Sequence, residues 1–168
     1  MLPTLLLLIG LSSSANLGER PPGFRAEAIV QGQHRLGWES VTAFDGTDKA
    51  TGAGWAIGQT VDVAATDLGQ VGLLVGADYR HRNGGAWSKD TIWLRGGVIR
   101  TAHGHSLRLV CKATVWASDD TRSTAAELEY RARLGRWVVG TRQGVLWFIQ
   151  PTAKAGYYMT ATAGVALF

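Results

Sequence analysis

Residues 127–134 read Glu127-Leu-Glu-Tyr-Arg-Ala-Arg-Leu134, in which four charged residues alternate with four apolar residues. Successive side chains of a β-strand point to opposite faces, so this period of two predicts a strand with one charged and one apolar face. One such segment is also typical of an edge strand in a soluble sheet. The choice between a soluble sheet and a barrel therefore depends on how many other segments share the alternation.

Seven other segments carry some form of the same alternation. Helical periodicity is nearly absent, and 22 glycines together with regularly placed turn residues are typical of an all-β chain. Strands are predicted at 24–36, 54–65, 69–80, 87–100, 105–117, 123–134, 137–149 and 156–168. Eight is an even number, which lets an up-and-down antiparallel meander close into a barrel.

The connections between these strands alternate in length. Short turns are predicted at 66–69, 101–104 and 135–136, and longer loops at 45–53, 81–86, 118–122 and 150–155. This alternation favours a barrel with one rim of short turns and one rim of longer loops.

The N-terminal segment 1–15, MLPTLLLLIGLSSSA, is a leucine-rich run followed by small residues. Ser13 and Ala15 occupy the −3 and −1 positions of a cleavage site before Asn16, so a signal peptide is predicted, with 16–168 as a single barrel domain. The segment has no Lys or Arg, which leaves a misplaced start codon, an anchor or buried structure as alternatives. It is too short for a transmembrane helix, which needs about 20 residues.

The distribution of charged residues indicates which partners the chain can bind and which side of the strands faces the lumen. A net charge of +4 could indicate nucleic acid, but the charges are spread singly along the strands rather than clustered, so no nucleic-acid partner is expected. The charged faces are predicted to line the barrel lumen as a paired network with eight positive and five negative groups. Its members are Arg25, Glu27, Asp62, Asp78, Arg80, Arg95, Arg108, Lys112, Glu127, Glu129, Arg131, Arg133 and Arg142.

Periodicity alone does not say which face points outward, because a soluble barrel and a membrane barrel are inverted relative to each other. The predicted strands of about 11–14 residues suit a tilted membrane crossing, whereas soluble strands average about 5–6 residues. Aromatic residues near the strand ends are also typical of interfacial girdles. These aromatics are Tyr79, Trp87, Trp137, Trp147, Tyr157, Tyr158 and Phe168.

With its signal-like start, its alternating segments and a final strand GYYMTATAGVALF ending in Phe168, the chain resembles the small eight-stranded outer-membrane β-barrels. The resemblance implies a monomeric transmembrane barrel in the outer membrane of a Gram-negative bacterium, with membrane lipid around it and both termini periplasmic. It also implies assembly by the machinery that reads a terminal aromatic. The residues that share the parity of Phe168, such as Thr160 and Thr162, are less apolar than the family pattern.

Possible chemistry centres on His103-Gly104-His105-Ser106, with Glu127 and Glu129 on the next predicted strand. A Ser/His/carboxylate set could hydrolyse an ester, and some related barrels are lipid A deacylases. The His-x-Ser spacing of those enzymes is absent, and the cluster lies on a predicted periplasmic turn. No catalytic residue is therefore predicted.

No metal or cofactor is predicted either. His103 and His105 lack a third ligand at a recognisable spacing, and Asp45-Gly46-Thr47-Asp48 lacks the ligand pattern of a calcium loop. The lone Cys111 cannot form an intramolecular disulfide. Four loop cations, Lys49, Arg82, Lys89 and Lys154, could contact lipopolysaccharide phosphates. Basic residues near an interface are also ordinary solubilising or snorkelling positions, which is the alternative.

An eight-stranded barrel is just wide enough to be filled by its own side chains, so a closed, charge-lined lumen is expected rather than a pore. The sequence thus predicts an integral outer-membrane protein with a role in envelope structure or surface interaction. A soluble exported barrel or sandwich that binds an apolar ligand is the alternative, and a lipid-modifying membrane enzyme is the third hypothesis.

Overall fold

The computed structural model describes residues 3–15, 20–33, 36–47, 54–65, 71–84, 88–150 and 152–167. It contains β1 (Thr4–Ala15), β2 (Arg20–Gln33), β3 (Leu36–Thr47), β4 (Gly54–Ala65), β5 (Val71–Asn83), β6 (Ser88–Ala102), β7 (His105–Ala117), β8 (Arg122–Leu134), β9 (Trp137–Gln150) and β10 (Lys154–Ala166). Every strand pairs antiparallel with its sequence neighbours, and β1 pairs with β10, so the sheet closes into an up-and-down barrel. Within these ranges no helix is long and apolar enough to cross a membrane.

The predicted all-β, closed antiparallel barrel is confirmed, but the predicted count of eight strands is wrong because the described residues form ten. One added strand is β1, in the segment predicted to be an export signal. Leu6 and Leu8 face the interior while Leu7 and Ile9 face outward, so both faces are apolar and no alternation marks the strand. Cleavage after Ala15 stays a prediction, which the mass of the exported chain would test.

The other added strand is β3, which pairs with β2 and β4 along its whole length. Its inward face alternates charge with small apolar groups, and its outward face carries Ser40 and Thr42 between Trp38 and Phe44. Each face therefore mixes polar and apolar residues, which hides the period of two from the sequence pattern. The predicted loop 45–53 therefore begins too early, because residues 45–47 belong to this strand.

Among the connections that the structure describes, residues 103–104 and 135–136 form tight turns. His103 and Gly104 both have positive φ, 49° and 82°, as the mirror-image turns of β-hairpins require. These turns, the start of β1 and the end of β10 lie at one end of the barrel, called here the turn rim. The opposite end, with residues 118–121 and 152–153, is the loop rim. The predicted turn at 66–69 and most of the predicted loop 45–53 lie outside the described residues.

The pairing between β1 and β10 depends on two glycines. A Cβ added to Gly10 would lie 1.8 Å from the carbonyl oxygen of Ala161, and one added to Gly164 would lie 1.8 Å from that of Leu7. No larger residue fits such a close backbone approach without displacing a strand. These glycines therefore allow the barrel to close.

Part of the interior is apolar. Five inward side chains from β1, β2, β3 and β9 are at most 3% exposed and pack together. They are Leu6, Leu8, Ile29, Val41 and Val138. The remaining inward positions carry most of the buried charge.

Candidate functional site

The most distinctive feature of the molecule is a network of ion pairs inside the barrel. Glu39 on β3 accepts hydrogen bonds of 2.6 Å and 2.9 Å from Arg108 on β7, although these strands are not neighbours in the sheet. Such a contact must cross the interior. The network contains seven cations, Arg25, Arg80, Arg95, Arg108, Lys112, Arg131 and Arg142, and seven anions, Glu27, Glu39, Asp45, Asp62, Asp78, Glu127 and Glu129.

Arg95 lies at the centre of this network, and its side chain is fully buried. It contacts Asp62 at 3.1 Å and Glu129 at 3.0 Å, and Glu129 also contacts Arg142 at 3.1 Å. Isolating one of these charges in a dry interior would cost several kcal/mol. Sharing each charge among several partners is what makes their burial tolerable.

A second centre is Glu39, which holds two guanidinium groups at once. Arg108 binds it from β7, and Arg131 binds it from β8 at 2.6 Å. Arg108 also approaches Asp62 at 3.5 Å. These contacts tie β3 to the opposite wall of the barrel.

Aromatic side chains complete the packing toward the loop rim. The hydroxyl of Tyr158 donates a hydrogen bond to Glu127, and the indole N–H of Trp93 donates one to Ser123 at 3.2 Å. The ammonium group of Lys112 lies 2.5 Å from Glu127 and 5.2 Å from the centre of the Trp93 ring. This half of the interior is therefore filled by interacting side chains.

The structure places twelve of the thirteen predicted lumen charges in this paired interior network. Arg133 differs, because it is exposed near the turn rim and its Nε donates to the carbonyl of Gly135. Glu39 and Asp45 belong to the network but were missed with β3. Removing Arg133 and adding these two acids turns the predicted excess of positive charge into equal numbers of cations and anions.

The outer surface of the barrel is apolar. Large hydrophobic side chains on all ten strands are exposed, from Leu7 on β1 to Met159 on β10. Tyr79, Trp137, Trp147 and Tyr157, four of the predicted interfacial aromatics, are exposed on this surface. Trp87 and Phe168, two others, lie outside the described residues.

Tyr158 differs from its predicted position at an outer interface, since it points into the barrel and reaches Glu127. Adjacent residues of a strand face opposite sides, so Tyr157 and Tyr158 cannot both point outward. Gly144 makes room for the inward ring, because a Cβ at that position would lie 2.9 Å from it. The parity of the two tyrosines could have been read from the sequence.

Toward the turn rim, the interior is not filled. A cavity of about 440 Å³ lies between Leu6 and Val138 on one side and Leu74 and Ile99 on the other. A much smaller void of about 30 Å³, enough for about one water molecule, lies between Glu27, Thr160 and their neighbours. A ten-stranded barrel is wider than the eight-stranded one for which a filled lumen was expected.

The candidate catalytic cluster does not come together as a nucleophile and a base. His105 points outward, where its Nδ1 lies 2.7 Å from the hydroxyl of Tyr130, whereas Ser106 points inward. Glu127 and Glu129 are part of the ion network. Among the described side chains, no group of three or more His, Cys, Asp or Glu could hold a metal ion.

The predicted lipopolysaccharide contacts lie at the loop rim. Lys89 binds Asp119 at 2.7 Å, and although partial burial opposes ionisation of Asp119, Lys89 and Thr121 hold the pKa of that carboxyl below its ordinary value. Lys154 is exposed over the ring of Phe148, and Arg82 lies 6.0 Å from the Trp93 ring. Lys49 lies outside the described residues, and the contact itself stays a prediction.

Comparison with known proteins places the chain in no family, since no family model and no curated protein matches it. Among solved structures it is similar to an anion-selective porin from Comamonas acidovorans, with a TM-score of 0.45, 11% sequence identity and 86% of this chain covered. The chain spans about half the length of that porin, covering 49% of it. A likeness at this level does not carry the porin's selectivity over to this chain.

Proposed function

We propose that the chain is an integral outer-membrane protein whose barrel crosses the bilayer and whose loop-rim half is closed by the ion network. Its role would be structural in the envelope or in interactions at the surface. The observation that carries the proposal is the inverted distribution of side chains, with paired charges buried inside and hydrophobic side chains exposed outside.

The energetics of the outer surface support a lipid environment. Thirty large hydrophobic side chains are exposed among the residues that the structure describes, and soluble monomers rarely expose contiguous apolar patches above a few hundred Å². Strands of 12 to 15 residues exceed the ~9–11 residues that a tilted crossing requires. Lipid would cover this surface without any rearrangement of the barrel.

The alternative of a soluble barrel that binds an apolar ligand in an apolar core is less well supported. Such a barrel would bury its hydrophobic face and expose its charged face, the reverse of the arrangement around Glu127 and Leu128. No observation favours the lipid-modifying enzyme, because Ser106 and His105 project to opposite faces of the wall.

The lone cysteine provides a direct test of the proposal. Cys111 is exposed on the outward face of β7, between Leu109 and Ala113. In vesicles with a membrane-impermeant maleimide on both sides, Cys111 should stay unlabelled, while a lipid-soluble maleimide should label it. A Cys111→Ser/Arg136→Cys variant, with its thiol in an exposed turn, should react with both reagents.

Rapid labelling of Cys111 by the impermeant reagent, in a protein that also stays in solution without detergent, would refute the membrane assignment. Migration of unboiled and boiled samples on a detergent gel gives an independent result. A folded membrane barrel should migrate differently before and after boiling, and identical migration would count against the proposal.

A further inference from the structure

The cavity at the turn-rim half of the barrel has the size and chemistry of a ligand site. Its volume of about 440 Å³ lies within the ~300–1,000 Å³ range of small-molecule pockets. Leu6, Leu74, Ile99 and Val138 form apolar walls, and the lining reaches the turn rim at Gly104. A ligand could therefore enter from the aqueous end of the barrel rather than through the wall.

Two polar atoms of the lining residues, on Asp62 and Ser106, have no hydrogen-bond partner among the described residues, and Asp62 is still ion-paired with Arg95 at 3.1 Å. The hydroxyl of Ser106 is buried and has no hydrogen-bond partner among the described residues. Ser106 is the cross-strand neighbour of Arg131, and both side chains line the cavity. A buried hydroxyl without a partner costs free energy unless something else binds it.

The charges that line the cavity do not cancel. Arg108, Arg131 and Arg133 contribute three positive charges, whereas Glu39 and Asp62 contribute two negative charges. The charges of Arg108 and Arg131 are offset by those of Glu39 and Asp62. The excess positive charge of the lining is therefore that of Arg133, near the turn rim. The lining thus favours a ligand with a single negative charge.

We propose that this cavity binds a small monocarboxylate with an apolar body. The carboxylate accepts a hydrogen bond from the hydroxyl of Ser106 and from the guanidinium of Arg131. The apolar body lies between Leu74, Ile99 and Val138. The inference does not require a membrane, because the same binding can be measured in detergent.

The first test fills the cavity. Octanoate binding is measured by calorimetry to the detergent-solubilised protein, with the heat of the protein-free detergent solution subtracted. Leu74→Trp should abolish saturable binding, whereas Leu73→Trp, which adds the same group on the exposed outer face, should leave it unchanged. Equal binding by the two variants, or no saturable binding to the unmodified protein, would overturn the proposal.

The second test removes the polar anchor without filling the cavity. Ser106→Ala should leave the heat-dependent gel migration unchanged, because the hydroxyl has no partner to lose, yet weaken octanoate binding by about tenfold. Arg131→Gln should also remove the preference for octanoate over uncharged 1-octanol. Unchanged octanoate affinity in Ser106→Ala would refute the assigned carboxylate position even if Leu74→Trp failed to fold.

Discussion

Glu39→Gln is the substitution that most directly probes both the ion network and the strand that the sequence pattern missed. It removes one negative charge and keeps the size of the side chain. In the structure this charge holds Arg108 and Arg131, each at 2.6 Å. The change would leave seven interior cations facing six anions.

The magnitude follows from the burial of these partners. Removing one member of a buried ion pair costs about 3–5 kcal/mol, because the remaining charge stays in the interior without compensation. Arg131 is 18% exposed and Arg108 keeps Asp62 at 3.5 Å. Partial exposure of Arg131 and the remaining Arg108–Asp62 contact both reduce the cost of the missing charge. We therefore expect the free energy of unfolding to fall by about 3 kcal/mol, at the low end of this range.

Urea unfolding in lipid vesicles, followed by the fluorescence of the seven tryptophans, measures this free energy. The double variant Glu39→Gln/Arg131→Gln restores equal numbers of cations and anions. It should recover about 1–3 kcal/mol relative to the sum of the single changes. Asp120→Asn, at an exposed turn position, removes the same charge and should change stability by less than about 0.5 kcal/mol.

A Glu39→Gln effect as small as that of Asp120→Asn would refute the reasoning. It would mean that residues 36–47 do not form an interior-facing strand, since only an exposed glutamate loses so little. Strict additivity in the double variant would instead refute the direct pairing of Glu39 with Arg131.

Three further predictions follow from the outer face, the interior packing and the closed lumen. Leu128→Arg should cost about 2–4 kcal/mol in lipid, while Leu134→Arg, at the end of the same strand, should cost about 0–1 kcal/mol; equal losses in vesicle unfolding would contradict the membrane depth assumed for β8. Gly144→Ala should destabilise by about 1–3 kcal/mol, because its Cβ would lie 2.7 Å from the carbonyl oxygen of Ala126 and 2.9 Å from the ring of Tyr158. Gly96→Ala, with its nearest atom at 3.9 Å, should be tolerated in the same assay. The purified protein should carry no steady ion current in a planar bilayer, and stable open channels would show that the network does not close the barrel.

Much of the barrel wall is predictable because alternation is a local property. Arg108 and Lys112 share one side of β7 because they are an even number of residues apart, and this holds whatever the strand pairs with. The same parity rule places Tyr157 and Tyr158 on opposite faces. Their joint prediction as interfacial aromatics was an error of interpretation rather than a missing signal.

The missed elements are those in which the local pattern is ambiguous. Leu6 and Leu8 are apolar on an inward face, so β1 has the composition of an export signal. Ser40 and Thr42 are polar on an outward face, where they hydrogen bond with Gln59. In both strands, side chains that do not fit the alternation of polar and apolar residues pack against or hydrogen bond with side chains of other strands. Which strands supply these contacts is known only from the folded structure.

The sequence by itself determined that the chain forms antiparallel strands with a charged side and an apolar side, because side-chain direction depends only on position along each strand. Only the tertiary structure decided the number of strands, the exact balance of interior charge through Glu39 and Asp45, and the cavity at the turn rim. These depend on which strands meet across the barrel and how wide it closes. Contacts between distant segments such as β3 and β7 do not change the alternation of residues within either strand, so the sequence pattern does not reveal them.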